Sequence, residues 1–246
     1  MGRSKKHRKK IISSITGIAF ALALAGLAVF AGFYMERNTE IQALQFTGQF
    51  FTEEEALIEV MDSPIGLRAD SVRFDPIFED IKSLPYVQDV DVTMNFRGTL
   101  MFRITEHEPI AMLVDGSNRS YVAEGGIKLP VYPEKIRNVP LVYGFSAQPV
   151  ADTLNSDAYR QVEDFLTTAR HNDLGWITIS EVVWNNREGV VALTHDNGVK
   201  LLFGEHDFEQ KLKNWQAFYI NVVSQKGIQS FNSVDLRFRD QIVTRN

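Results

Sequence analysis

The chain has 246 residues, of which 44% are apolar and 23% are charged, a composition typical of a folded protein rather than a disordered or fibrous one. It contains no cysteine, which excludes a disulfide scaffold, a thiolate metal site and a cysteine nucleophile. Six basic residues lie in the first ten positions, and the remaining 236 residues carry 20 basic and 31 acidic residues, a net charge of −11. Because so acidic a body repels a phosphate backbone, nucleic acid is not expected as a partner beyond the short tail.

The N-terminus predicts a membrane anchor. A basic tail (1–10) precedes 25 consecutive uncharged residues (11–35), which as a helix would be roughly 37 Å long against a hydrocarbon core of about 30 Å. Because the basic residues come before the span, the tail is expected in the cytoplasm and residues 36–246 across the membrane. A cleaved signal peptide is the alternative, but its apolar region is typically about 7 to 15 residues long. The sequence therefore favours a retained single-pass anchor.

Residues 36–108 predict a small unit with the element order β-α-α-β-β. Thr52 and Glu55 form a capping box before the first helix. Asp75 followed by Pro76 predicts the start of a second helix, which Pro85 ends. Such a unit has a three-stranded sheet with helices on one face and an available sheet edge. We expect strands at about 40–48, 87–95 and 100–106, and helices at about 53–61 and 76–84.

Residues 109–246 predict a second domain, mainly antiparallel β with flanking helices, so the fold class is α+β. Asp196-Asn197-Gly198 is a strong hairpin signal. Apolar residues at helical spacing predict one helix at about 157–171 and another after Asp207, with Phe208, Leu212, Trp215, Tyr219 and Val222 along one apolar stripe. We expect strands at about 111–114, 120–123, 141–143, 177–184, 190–194, 199–203, 233–238 and 241–244.

The sequence carries no recognisable catalytic or metal-binding motif. Its five histidines are scattered and none has the HExxH spacing of a zinc site, while GxSxG, P-loop and GxGxxG patterns are absent. A Ser-His-Asp triad can be assembled from any spacing, so an enzyme stays open at this point. We expect no metal, no cofactor and no catalysis, and favour a scaffold that presents surfaces to partners.

Several short segments occur in an order that is specific when they are taken together. The most diagnostic are LPYVQDVDV at 84–92 and LMFRITEHEPIA at 100–111, and AEGG, VPLVYG, the hairpin at 193–204 and VDLRF at 234–238 follow. With the basic tail and single span, these segments cover nearly the whole chain, and the sequence resembles the FtsQ/DivIB family of bacterial cell division proteins. The resemblance implies that residues 36–108 form a POTRA domain, the first exported module of that family.

The resemblance implies assembly rather than catalysis. Proteins of this family bind FtsB and FtsL, and the complex recruits and regulates the septal peptidoglycan synthase FtsW with its penicillin-binding protein partner. The POTRA unit is implied to dock upstream division proteins such as FtsK. The implied location is the inner membrane at the division septum, with residues 36–246 in the periplasm.

The implied mode of binding is strand addition, in which the last strands offer an unpaired edge to a segment of FtsB. Arg187 matches an arginine-bearing loop that faces FtsB in the family, and Phe238 stands where a tyrosine is common. The alternative is a protected edge, because arginines are among the residues that prevent pairing at sheet edges. The implied partner-binding residues are Arg187, Arg237, Phe238, Arg239, Asp240, Gln241, Ile242 and Val243.

Two other functions compete with a division scaffold. The POTRA-like unit could belong to a module for envelope protein assembly or secretion, although a lone unit of this kind argues against it. The chain could also be an anchored enzyme acting on peptidoglycan, which the missing nucleophile and metal motifs disfavour.

Overall fold

The computed structural model describes residues 22–27, 40–239 and 241–245, and residues 22–27 are helical. The predicted basic tail (1–10) and the rest of the predicted span (11–35) lie outside these residues. Within the described ranges, no helix has both the length and the apolar character needed to cross a bilayer. The chain divides into two compact units, Met1–Thr105 and Glu106–Asn246.

The first unit has the element order β-α-α-β-β. Its sheet has the strand order β1-β3-β2, and β1 runs parallel to β3, from Ala43 opposite Thr99 to Thr47 opposite Arg103. Leu57, Ile81 and Phe102 are buried in one core between the helices and the sheet. The elements are β1 (Ala43–Thr47), α1 (Glu54–Val60), α2 (Phe74–Lys82), β2 (Val87–Met94) and β3 (Thr99–Glu106).

Both helix starts in this unit differ from the prediction. The residue that precedes α1 is Glu53 rather than Thr52, and its side chain makes no capping hydrogen bond. Helix α2 begins at Phe74, so Pro76 lies inside the first turn instead of opening it. The first-turn N–H groups have no partner within a helix, so proline is tolerated at any of these positions and does not fix the first residue.

The second unit is built on a nine-stranded sheet with the order β12-β11-β10-β9-β8-β7-β4-β5-β6. The prediction of a mixed α+β chain with a large β domain is confirmed. Five of the eight described pairings in this sheet are antiparallel and three are parallel. The strands are β4 (Pro109–Asp115), β5 (Asn118–Ala123), β6 (Lys128–Leu129), β7 (Leu141–Tyr143), β8 (Ile179–Asn185), β9 (Gly189–Thr194), β10 (Lys200–Gly204), β11 (Ser233–Asp235) and β12 (Val243–Arg245).

Helices α3 (Asp157–Arg170), α4 (Asp173–Thr178) and α5 (Phe208–Phe218) flank this sheet, and a π-helical turn (Tyr219–Val223) continues α5. The ring centroids of Phe165 in α3 and Phe203 in β10 lie 4.6 Å apart, and Trp215 of α5 is fully buried. The predicted stripe on α5 is therefore core packing. An aromatic side chain of this size buries about 150–250 Å², so it contributes more to the core than a smaller apolar residue.

The predicted strand at 177–184 begins two residues too early. Ile177 and Thr178 belong to α4, because the Asn172 side chain accepts a hydrogen bond from the N–H of Gly175 at 2.7 Å and caps this short helix. The hairpin predicted at Asp196-Asn197-Gly198 is confirmed between β9 and β10. Asn197 and Gly198 both have positive φ, as the tight hairpin turn requires.

The directions of the last strands decide where loops meet. Strand β9 is antiparallel to both β8 and β10, and β10 is parallel to β11. Strands β8, β10 and β11 therefore run the same way, and their carboxyl ends lie at one end of the sheet. This end carries the β8–β9 turn and the connection between β11 and β12.

Candidate functional site

The two edges of the nine-stranded sheet differ in whether a neighbouring segment of the chain covers them. At β6, the N–H of Lys128 donates to the carbonyl of Asp152 and the N–H of Ala151 donates to the carbonyl of Lys128, both at 3.1 Å. A neighbouring segment therefore covers that edge. At the other edge, β12 pairs with β11 on one side, all three of its residues are exposed, and no strand of the described residues lies on its outer side.

The last two strands are shorter than the sequence predicts. Strand β11 ends at Asp235 rather than near Phe238, because the Asp235 carboxylate accepts a hydrogen bond from the N–H of Arg237 at 3.1 Å and turns the chain. Strand β12 begins at Val243 rather than Gln241. Of the implied binding residues, only Val243 lies on the edge strand. Arg237, Phe238, Arg239, Gln241 and Ile242 lie in the connection, and Asp240 is outside the described residues.

The apolar residues of this connection fall into two groups. The side chain of Ile242 packs against the core of the second unit, so it holds the connection in place. Phe238 and Val243 are 44% and 39% exposed. An exposed phenylalanine beside an open edge offers a partner an apolar contact next to free backbone groups.

The structure brings Arg187 and Arg237 to the same end of the sheet. Arg187 is exposed in the β8–β9 turn, and its N–H donates to the Asn185 side chain at 2.8 Å. The turn closes at Gly189, which faces Gly204 of β10. The stem of Arg237 lies against Gly204, since a Cβ added there would be 3.2 Å from the Arg237 Cγ.

An ion pair fixes Arg237. Its Nε donates to the Asp235 Oδ1 at 2.9 Å and its Nη2 to the Oδ2 at 2.6 Å, the two-pronged geometry that makes arginine–carboxylate pairs strong. Burial favours a higher pKa for Asp235, but the bonds from Arg237 and the charges of Arg237 and Arg245 outweigh it and lower the pKa. Arg187 and Arg239 have no ion pair within the described part of the chain. Both side chains are exposed.

The sequence analysis did not name several residues of this region as candidates for binding. Thr244, within the predicted strand at 241–244, and Arg245 complete β12, and Lys200 of β10 pairs with Glu188 of the β8–β9 turn at 2.6 Å. Lys211 of α5 is buried, and its Nζ donates to the carbonyl of His206; burial lowers its pKa, and the nearby charge of Asp207 partly opposes this. The Asp-x-Arg spacing of 235 and 237 was the available sequence signal for the ion pair, because an aspartate that turns the chain brings the residue two positions on within reach of its carboxylate.

The Asp235–Arg237 pair predicts a pH-dependent contribution to stability. Asp235 has a lowered pKa in the folded chain, so its contribution is present above the ordinary value of about 4 and is lost as the pH falls through the folded pKa. We expect Asp235→Asn to reduce the free energy of unfolding at pH 7 by about 1–3 kcal/mol, and the difference from wild type to shrink below about pH 4. Denaturant titrations of the detergent-solubilised chain at pH 7 and pH 3 measure both.

The control for this variant is Asp70→Asn. Arg68 and Asp70 form a pair with the same spacing and the same two contacts, but their side chains are 53% and 42% exposed. Exposed pairs contribute about 0–1 kcal/mol, so this change should alter stability less than Asp235→Asn at pH 7. Equal losses from the two variants would contradict a structural role for Asp235.

Ser180, His195 and Asp196 are among the residues that line a cavity of about 590 Å³ near the start of β8. The hydroxyl of Ser180 donates to the carbonyl of Leu193, and the Nδ1 of the exposed His195 lies 3.5 Å from the Asp196 carboxylate. A triad requires the serine hydroxyl to donate to the histidine, so this arrangement is not one. Among the described residues, no group of three or more His, Cys, Asp or Glu side chains could hold a metal ion.

The chain is similar to known cell division proteins along most of its length. A Rhodothermus marinus protein named "Cell division protein FtsQ" is 30% identical over 169 residues, which cover 65% of this chain and 61% of the relative. A Geotalea daltonii protein of the same name is 24% identical over 247 residues, 96% of this chain and 87% of the relative. The chain thus spans less than two thirds of the first relative and most of the second.

Among solved structures, the major extracytoplasmic domain of the cell division protein DivIB from Geobacillus stearothermophilus matches 50% of this chain and 98% of that domain. It is 18% identical with a TM-score of 0.33, a likeness too weak to bear on the fold. The family model described as "FtsQ/DivIB, C-terminal related" matches residues 108–245, more than half of the chain and the whole nine-stranded sheet. With this match, the chain is a member of the FtsQ/DivIB family.

Proposed function

We propose that this chain is a cell division scaffold that binds FtsB and FtsL through the outer edge of β12. The observation that carries the proposal is the contrast between the two sheet edges. The chain covers β6 with its own backbone, whereas the residues of β12 are exposed and no strand of the described ranges pairs with its outer side. An uncovered edge in a sheet whose other edge is covered is suited to strand addition, in which backbone hydrogen bonds give affinity.

The side chains around the edge define the partner segment. Phe238 and Val243 are exposed apolar residues, so the added segment should carry apolar side chains at alternate positions. Arg187 and Arg239 are exposed cations, so acidic residues should flank them. The Asp235 carboxylate already pairs with Arg237, so we expect Arg237 to shape the surface rather than to pair with an acidic residue of the partner.

The remaining parts of the chain place this edge in the envelope. Residues 11–35 anchor the chain in the inner membrane, with the tail (1–10) in the cytoplasm and residues 36–246 in the periplasm at the septum. The first unit is a POTRA-like module that docks upstream division proteins such as FtsK. With FtsB and FtsL bound, the scaffold recruits and regulates FtsW and its penicillin-binding protein partner, and performs no catalysis itself.

The test is capture of purified FtsB and FtsL by the full chain in detergent, with the variant Phe238→Ala. Truncating an aromatic side chain at the centre of an interface typically costs about 1–3 kcal/mol, so we expect the dissociation constant to rise roughly 10-fold to 100-fold. The thermal unfolding midpoint should not change, because Phe238 is largely outside the core.

The matched control is Phe96→Ala, which removes an 85% exposed phenylalanine from the β2–β3 turn of the first unit. Capture should be unchanged by this control. If wild type captures neither FtsB nor FtsL, or if Phe238→Ala and Phe96→Ala behave alike, the C-terminal edge is not the binding surface. Depletion in cells provides an independent check, since filamentation supports a division scaffold and defective envelope protein assembly supports the competing module.

A further inference from the structure

Three exposed apolar side chains belong to two neighbouring loops of the first unit. Ile65 and Leu67 are 52% and 50% exposed in the loop at residues 64–68, and Phe96 is 85% exposed in the β2–β3 turn at residues 95–98. None of these side chains belongs to the hydrophobic core of this unit, and none is among the residues proposed to bind FtsB. Exposed apolar residues gathered at one place indicate a surface that is covered in use.

Both loops are hydrogen-bonded to the first residues of the described range 40–239. The N–H of Ile41 donates to the carbonyl of Leu67 at 2.9 Å, and the N–H of Gly66 donates to the carbonyl of Ile41 at 2.8 Å. The N–H of Gln42 donates to the carbonyl of Gly98 at 2.8 Å. Residues 41 and 42 therefore hold the two loops together at one end of the sheet.

This end of the unit is close in sequence to the predicted membrane span. The span is predicted to end at residue 35, so five residues (36–40) connect it to Ile41. Fully extended, they reach at most roughly 18 Å, and the headgroup layer outside the hydrocarbon is itself about 5–8 Å thick. The tether therefore keeps Ile65, Leu67 and Phe96 within reach of the bilayer surface.

We propose that Ile65, Leu67 and Phe96 form a membrane-contact surface that inserts into the interface of the bilayer holding the chain's own span. The proposal rests on the single-pass anchor in the proposed function and adds the orientation of the first unit. The occupant is the lipid surface, because the short tether presents this end to the bilayer before any other partner. Aliphatic and aromatic side chains are favoured at that depth.

The charged residues around this surface are compatible with a headgroup layer. The Arg97 guanidinium lies 5.4 Å from the centroid of the Phe96 ring, so the ring can enter the interface while the cation stays at the phosphates. Arg68 is paired with Asp70. Glu40 and Asp62 are also exposed nearby in sequence, so the apolar side chains rather than net charge drive the contact.

The absence of cysteine allows a direct test on the full chain in phospholipid vesicles. Ile65→Cys, Leu67→Cys and Phe96→Cys each receive an environment-sensitive fluorophore, and nitroxide-labelled phospholipid serves as the quencher. The matched control is Phe50→Cys, a 43% exposed phenylalanine beyond the other end of β1. We expect labels at 65, 67 and 96 to be quenched at least about twofold more than the label at 50, because quenching requires contact with lipid.

Equal quenching at the four positions would overturn the membrane contact. A label that is shielded from an aqueous quencher but not quenched by lipid would also overturn it, since a protein partner would then cover the surface. Extraction of the chain by alkaline carbonate would overturn the anchor on which the contact rests. Capture of FtsB and FtsL by the triple variant Ile65→Gln, Leu67→Gln, Phe96→Gln should equal that of wild type, so failure of the division scaffold is seen separately.

Discussion

Of the two single proline variants Val243→Pro and Thr244→Pro, we expect one to lose capture of FtsB while its fold stays intact. Successive residues of an edge strand direct their N–H groups alternately toward the paired strand and toward the open side. One proline therefore removes a donor that β11 uses, and the other removes a donor that an added strand would use. We expect the second to weaken capture more than about 10-fold, from the lost hydrogen bond and the ring in its place.

The two variants are distinguished by thermal unfolding of the detergent-solubilised chain. The variant that breaks the pairing with β11 should unfold earlier, whereas the variant that faces the open side should keep the wild-type midpoint. All three side chains of β12 are exposed, so neither change disturbs core packing. Full capture by both proline variants would show that FtsB does not pair with this strand.

A large loss of stability is expected from Gly189→Ala. Gly189 has φ +71°, and an added Cβ would lie 2.4 Å from the carbonyl carbon of Gly204. The left-handed conformation alone costs an alanine about 1–2 kcal/mol, and the clash with backbone forces the β9–β10 pairing apart. We expect the free energy of unfolding to fall by about 3 kcal/mol, roughly 10 °C in the unfolding midpoint of a unit of this size.

Gly198→Ala is the matched control for this change. Gly198 also has a positive φ, +59°, but an added Cβ there would meet no atom within 4 Å. The loss should therefore be limited to the conformational cost of about 1–2 kcal/mol. Because Gly189 closes the turn that carries Arg187, its variant should also weaken capture of FtsB, whereas Gly198→Ala should leave capture intact. Equal destabilisation by the two changes would mean that the Gly189–Gly204 contact is unimportant.

Local patterns in the sequence predicted most of the elements. The stripe from Phe208 to Val222 and the Asn197-Gly198 turn depend on spacing and backbone conformation within a few residues, so they could be identified without the rest of the fold. Element ends were predicted less well. Helix α1 follows Glu53 rather than Thr52 without any side-chain capping bond, and β11 stops at Asp235 because of a side-chain hydrogen bond that spacing does not reveal.

The candidate edge was likewise predicted only in part from the sequence. The sequence pointed to residues 237–243 through a family resemblance, but it predicted strands at 233–238 and 241–244, and most of these residues lie in the connection between β11 and β12. It did not indicate that Ile242 packs inward while Phe238 stays exposed. Nor could it show that Gly189 and Gly204 bring the Arg187 turn beside Arg237, because these residues are distant in the chain and meet only through strand pairing.

The sequence by itself determined the α+β class and most of the element order and predicted an anchor, because these follow from composition and periodicity, and the order of its motifs carried the resemblance to the family. The tertiary structure alone decided that one sheet edge is covered while the other has no further strand among the described residues, and that the loops carrying Ile65, Leu67 and Phe96 are joined through Ile41 and Gln42. The physical reason is that edges and surface clusters are made by long-range backbone hydrogen bonds. No local pattern of residues encodes which distant segment supplies them.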